Sequence, residues 1–196
     1  MLNNKLMGMG IALITPFKKD GSIDFDALEC LVEYQIENGT DFLVILGTTS
    51  ENPTLTEEEK DEIARVVIAK NNKRLPIVMG IGGNNTRTVV EKIKSTDLSQ
   101  VDAVLSVVPY YNKPSQEGIY QHYKAITEAT NTPIVLYNVP GRTGVNMKAE
   151  TILRLAHEFP NIVGVKEASG NFAQIDEIIK NKPTHFMVIS GDDGIT

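Results

Sequence analysis

Short, nearly continuous apolar runs recur along the chain, separated by turn clusters and by longer stretches of helical periodicity. That alternation constrains the fold more than any other feature. The runs are "GIALIT" (10–15), "DFLVILG" (41–47), "PIVMGIG" (76–82), "VDAVLSVVP" (101–109), "TPIVLYNV" (132–139), "NIVGVKE" (161–167) and "HFMVISG" (185–191). Runs rich in Val, Ile and Leu without strict alternation predict strands buried on both faces. Between them, residues 24–38 set Phe25, Leu28, Leu31, Val32 and Ile36 on one side, and 56–70 open with Thr56 and Glu59 in capping-box spacing. Further helices are predicted near 85–95, 115–129, 148–158 and 172–181. Strand and helix in this order predict parallel strands joined by crossover helices.

An open doubly wound sheet and a closed (β/α)8 barrel both fit. The open dinucleotide-binding sheet calls for G-x-G-x-x-G after its first strand, whereas "GIALITPF" leads into "KKDGSID". The richest glycine cluster, "GIGGNNT" (80–86), follows the third run and lacks a late acidic partner, so a turn is favoured over a phosphate cradle. A barrel accounts for polar residues at the carboxyl ends of many runs: Thr15, Thr48, Thr49, Asn84, Tyr110, Tyr111, Tyr137, Lys166 and Asp192. In a barrel such ends share one mouth. The fold class predicted is α/β, a (β/α)8 TIM barrel in a single domain over 1–196. Closure takes eight strands and typically ~250 residues, so seven runs predict a barrel incomplete at its C-terminus.

Composition narrows the function. With 19 Lys and Arg against 25 Asp and Glu the formal charge is −6, and no basic cluster could follow a phosphate backbone, so no nucleic acid is expected as partner. No apolar run approaches the ~18 residues of a membrane span, the start "MLNNKLMGMG" lacks a secretory h-region, and a cytoplasmic location without membrane contact is expected. The single cysteine, Cys30, is read as core. His122, His157 and His185 lack ligand spacing and are read as solvated or capping residues, with no metal site expected.

Chemistry concentrates at Lys166, which ends an apolar run before any turn relieves it. Side chains alternate along a strand, so Lys166 shares a face with Gly164 and Ile162, opposite Val163 and Val165. Desolvation disfavours a charged amine, and a neutral one condenses with a ketone to a Schiff base. The alternative is an ion pair with Glu167 or Glu51. Tyr137 ends the preceding run, where a phenol could pass protons or simply anchor the core. Thr48 and Thr49 after Gly47 offer hydroxyls and backbone N–H groups to a carboxylate, or a helix cap. Arg142 in "NVPGRTG" presents a fork suited to a second carboxylate.

"GTTSENPTLTEEE", "PYYNKP", "YNVPGRTG" and "GVKEASG", in that order and at these separations, resemble the dihydrodipicolinate synthase family of pyruvate-dependent class I aldolases, from "GIALITPF" to "SGDD". The resemblance implies that Lys166 forms a covalent imine with pyruvate, with no cofactor, and that the enamine attacks L-aspartate-4-semialdehyde on the way to diaminopimelate and lysine. It implies Tyr137 as the acid/base phenol, Thr48 as a relay to Tyr111, Thr49 for the pyruvate carboxylate, Arg142 for the semialdehyde carboxylate, and Gly191 as a further substrate-binding residue. Tyr111 would complete a neighbour's site in a homo-oligomer, a dimer of dimers. Asn84 and Tyr110 match effector-binding positions, but Thr88 stands where lysine-sensitive members carry an acid, so strong feedback is not expected. The family's last barrel unit and C-terminal helical region are absent. Alternatives are another pyruvate-dependent lyase, acting on sialic acid or keto-deoxy sugars, and a catalytically silent relative.

Overall fold

A computed structural model describes residues 5–192 and 194. It divides into two compact units, the first taking the chain up to Gly80 together with Leu98–Asp102, the second Ile81–Asp97 and the chain from Ala103 onward.

The first unit alternates β1 (Gly10–Ala12), α1 (Phe25–Glu37), β2 (Phe42–Ile45), α2 (Glu57–Asn71) and β3 (Ile77–Gly80). The strands pair in parallel, Ala12 opposite Val44 and Ile45 opposite Met79. All four residues of β2 are buried, as a central strand covered on both faces requires. Asp24 caps α1 by accepting from the Ala27 N–H, and α2 opens with the predicted capping box: Thr56 and Glu59 satisfy each other's backbone N–H. Leu28 and Val32 of α1 are buried, but Cys30 is exposed, which corrects its reading as core. It lies two residues from each of those side chains, and on a helix that spacing turns a residue away from their face.

The second unit contains α3 (Thr86–Ser95), β4 (Ala103–Val107), α4 (Gln116–Thr127), β5 (Ile134–Asn138), α5 (Pro140–Thr143), α6 (Ala149–Glu158), β6 (Ile162–Glu167), α7 (Phe172–Asn181) and β7 (Met187–Ser190). Its four strands pair in parallel in chain order. The core includes Ile119, Ile126, Ile134, Leu136, Ile152, Leu155 and Val165, all fully buried; truncating one such Leu or Ile to Ala costs about 2–5 kcal/mol.

The pairing of β5 with β6 shifts register: Ile134 faces Ile162, but Val135 faces Gly164. Val163 is the extra residue of this bulge. The simple alternation therefore holds only from Gly164 onward, and the face assigned to Ile162 and Val163 from the sequence does not follow from it.

In the "GIGG" stretch Gly80 and Gly82 answer to close backbone approach. A Cβ on Gly80 would sit 2.1 Å from the Leu46 carbonyl oxygen, and one on Gly82 would sit 2.8 Å from the Val107 nitrogen. Packing demands these residues without any phosphate.

Candidate active site

Lys166 of β6 pairs in register with Tyr137 of β5, so the two side chains leave neighbouring strands on the same face. The row continues to Val107 of β4 and Ile189 of β7. The Lys166 Nζ lies 4.8 Å from the centroid of the Tyr137 ring, within the range at which a cation is attracted to an aromatic face. Tyr137 is buried and Lys166 half-buried. Space around the lysine stem comes from glycine: a Cβ on Gly191 would approach Lys166 Cε to 3.0 Å and Cγ to 3.1 Å. Gly191 is anchored by its own N–H, which donates to the Glu167 carbonyl at 2.8 Å. Gly164, two residues before the lysine, would meet the Met187 carbonyl oxygen at 2.9 Å if it carried a Cβ.

Glu167 is not the ion partner of Lys166. It is fully buried, and the alternation that gives Lys166 and Tyr137 one face gives Glu167 and Asn138 the other. Asn138 Nδ2 donates to both Glu167 carboxylate oxygens at 3.1 Å, the Ser169 N–H donates to Oε1 at 2.9 Å, and Gln174 Nε2 donates to Oε2 at 3.1 Å. Sequence reasoning missed this network. The available signal was an Asn and a Glu, each following a candidate site residue at a position that strand alternation buries.

Arg142 sits on the short helix α5, exposed, and its side chain makes no hydrogen bond among the described residues. Tyr111 is 88% exposed and lies in a loop where both it and Lys113 adopt positive φ, 72° and 47°. Left-handed backbone is unfavourable for such side chains. Its N–H donates to the Thr143 carbonyl at 3.4 Å, and no hydrogen bond among the described residues joins its hydroxyl to Tyr137. Tyr110 is half-buried, while Asn84 and Thr88 are exposed. Asp192 is exposed after β7, and Asp193, the last residue of the sequence resemblance, lies outside the described residues.

In the first unit Thr48 and Thr49 lie exposed in a 3-10 turn, Thr48–Ser50, that follows Gly47. The turn is held from behind. Ser50 Oγ donates to the Gly47 carbonyl at 2.7 Å, Asn52 Nδ2 to the Leu46 carbonyl at 2.7 Å, and Thr15 Oγ1 to the Ser50 carbonyl at 2.8 Å. Thr15 is thereby a buried brace for the threonine loop, a role its position at a strand end did not reveal.

His122 departs from its sequence reading. It is buried on α4, its Nδ1 is 2.8 Å from Thr86 Oγ1, its Nε2 has no hydrogen-bond partner among the described residues, and burial pushes its pKa down to about 4. His157 fits the capping reading, with Nε2 3.2 Å from the Asn181 carbonyl at the end of α7, and His185 is exposed. Among the described residues no three His, Cys, Asp or Glu side chains converge as a metal site. No helix among them is long and apolar enough to cross a membrane.

The model of the dihydrodipicolinate synthetase family matches residues 5–196. The chain belongs to that family. A 4-hydroxy-tetrahydrodipicolinate synthase of Phocaeicola vulgatus is 67% identical over 196 residues, covering 100% of this chain and 66% of the relative. A dihydrodipicolinate synthase crystal structure from Bacillus anthracis superposes with a TM-score of 0.92 at 48% identity, over 96% of this chain and 64% of that one. The chloride-inhibited synthase of Acinetobacter baumannii, solved in complex with pyruvate, gives 0.91 at 49% identity, over 95% and 64%. This member of the family therefore spans about two thirds of the length of its relatives. The predicted α/β fold of (β/α)8 barrel type is the one it carries, with seven strands among the described residues.

Proposed function

We propose that this family member condenses pyruvate with L-aspartate-4-semialdehyde to 4-hydroxy-tetrahydrodipicolinate, in diaminopimelate and lysine biosynthesis, through a Schiff base on Lys166. The observation that carries the reading is the Lys166 amine set 4.8 Å from the Tyr137 ring centroid, in direct register. Relatives named for this synthase support it.

The neutral Lys166 amine attacks C2 of pyruvate, and the carbinolamine loses water after the Tyr137 phenol delivers a proton to the departing hydroxyl. Loss of a methyl proton gives the enamine, whose carbon attacks the semialdehyde aldehyde as the aldehyde oxygen takes up a proton. The substrate's own amino group then attacks C2, displaces Lys166 and closes the ring. The balance is one water released and the lysine regenerated, so no cofactor is needed.

In this reading Thr48 relays protons between Tyr137 and Tyr111, Thr49 holds the pyruvate carboxylate, Arg142 takes that of the semialdehyde, and Gly191 is a further substrate contact. The exposure of Tyr111 supports a role towards a second copy in a homo-oligomer. The exposed Arg142 guanidinium, without a hydrogen bond among the described residues, supports recognition of an incoming anion. Asn84 and Tyr110 are the proposed effector contacts, with weak lysine inhibition expected because Thr88 offers no charge to an ammonium group. In this reading the reaction runs in the cytoplasm.

The test is product analysis. Pyruvate is supplied with a panel of aldehydes, and mass spectrometry follows the condensation product. A product with L-aspartate-4-semialdehyde in clear preference to amino-sugar and keto-deoxy-sugar precursors is expected. Preference for a polyol aldehyde would overturn the choice of second substrate.

A further inference from the structure

The candidate site is backed by a closed ring of amides, buried Asn138 and Gln174 and half-buried Asn146, around one carboxylate. Besides the bonds to Glu167, Asn138 Nδ2 donates to Asn146 Oδ1 at 2.8 Å, Asn146 Nδ2 to Gln174 Oε1 at 2.8 Å, and Gln174 Nε2 to the Met147 carbonyl at 3.2 Å. Asn138 Oδ1 accepts from the Met147 N–H at 3.0 Å. Asn138, Glu167 and Gln174 are all buried. A buried carboxylate is tolerated only when its lone pairs are occupied, and here both oxygens face donors alone.

Each member touches a different part of the site. Asn138 follows Tyr137 and Glu167 follows Lys166. Asn146 and Met147 end the segment that carries Arg142, and Gln174 lies in the first turn of α7. The strand ends are also joined by the Ala168 N–H donating to the Asn138 carbonyl at 2.9 Å, and Gly191 hangs from the Glu167 carbonyl. One carboxylate therefore fixes the ends of β5 and β6, the loop after α5 and the start of α7.

We infer that Glu167 is a positioning residue: its buried carboxylate sets Lys166 against Tyr137 and steadies the loop that follows Arg142 and α5 for the proposed pyruvate chemistry. This rests on the Schiff-base reading of Lys166. An isosteric amide cannot substitute. In Glu167→Gln the new NH2 must face either Asn138 Nδ2 and the Ser169 N–H, or Asn138 Nδ2 and Gln174 Nε2, donor against donor. Misplacement of reacting groups by about 1 Å can cost ~100-fold in rate, and a pivot so close to Lys166 can supply a good part of that.

The test is exchange of the pyruvate methyl protons for deuterium, followed by NMR on the full chain, because enamine formation needs no second substrate. Glu167→Gln is expected to slow exchange at saturating pyruvate about tenfold or more, with half-saturation little changed. Gln174→Leu, which removes one donor from the carboxylate while leaving every residue of β6 in place, is expected to act in the same direction. Val165→Ala is the control: it truncates a fully buried side chain beside Lys166, destabilises the strand generally, and is expected to leave exchange within about twofold. Melting curves confirm that each variant is folded at the assay temperature. Equal slowing by Val165→Ala, or unchanged exchange in folded Glu167→Gln and Gln174→Leu, would overturn the positioning role. No exchange by the wild-type chain would instead overturn the Schiff-base reading beneath it.

Discussion

His122 converts burial into a pH-dependent stability that can be calculated from the structure. Its pKa falls from 6.5 to about 4 because the imidazole is buried, with Thr86 as its hydrogen-bond partner and no carboxylate among the described residues to stabilise a cation. The unfolded chain therefore binds a proton more readily than the folded one between these values. Stability is complete above pH ~6.5 and is lost as the pH falls towards 4. At one pKa unit below 6.5 the linkage is about 1.4 kcal/mol, and by the bottom of the window it reaches about 3 kcal/mol. The perturbation is His122→Gln, which keeps a polar group beside Thr86 and cannot titrate. Urea unfolding is measured on both chains near neutrality and at about one-unit steps down to the end of the window. The stability difference between wild type and variant should narrow by about 1.4 kcal/mol over the first unit below 6.5 and keep narrowing. A difference constant across the window would show that His122 is not buried neutral, and the account of α4 against α3 would fail with it.

Two further outcomes follow from packing and exposure. Gly80→Ala drives a Cβ into the Leu46 carbonyl at 2.1 Å, against backbone that cannot rotate away, so a loss of about 2 kcal/mol or more is expected in denaturant unfolding. A change below about 0.5 kcal/mol would contradict the close approach of β2 and β3. The single cysteine, Cys30, is exposed on α1. The native chain should therefore release one equivalent of thiol signal to a disulfide reagent without denaturant, and a thiol that reacts only after unfolding would restore its reading as core.

The helices and strands were legible because the physics that forms them is periodic and local. Thr56 and Glu59 announced a capping box that the structure contains, and every apolar run became a strand within a few residues of its predicted limits. What stayed hidden depends on partners distant in the chain or on breaks in period. The bulge at Val163 cannot be seen without knowing how β6 registers on β5. Helix α5 and the turn at Thr48–Ser50 are too short to show a repeat. His122 looked solvated because a histidine's burial is decided by α3, which precedes it by a whole strand. The site divides in the same way. Lys166 and Tyr137 were visible as polar residues closing apolar runs. Glu167, Asn138, Asn146 and Gln174 were not, because four polar residues have no common meaning until the fold brings them together.

The central claim is that the Lys166 amine forms an imine with pyruvate, and reductive trapping tests it most directly. The chain is incubated with pyruvate, reduced with borohydride, digested and mapped by mass spectrometry. A modification equal to pyruvate less one oxygen is expected on the peptide bearing Lys166, and it should be absent after Lys166→Arg. A folded chain that carries no adduct, or carries it on another lysine, would contradict the account.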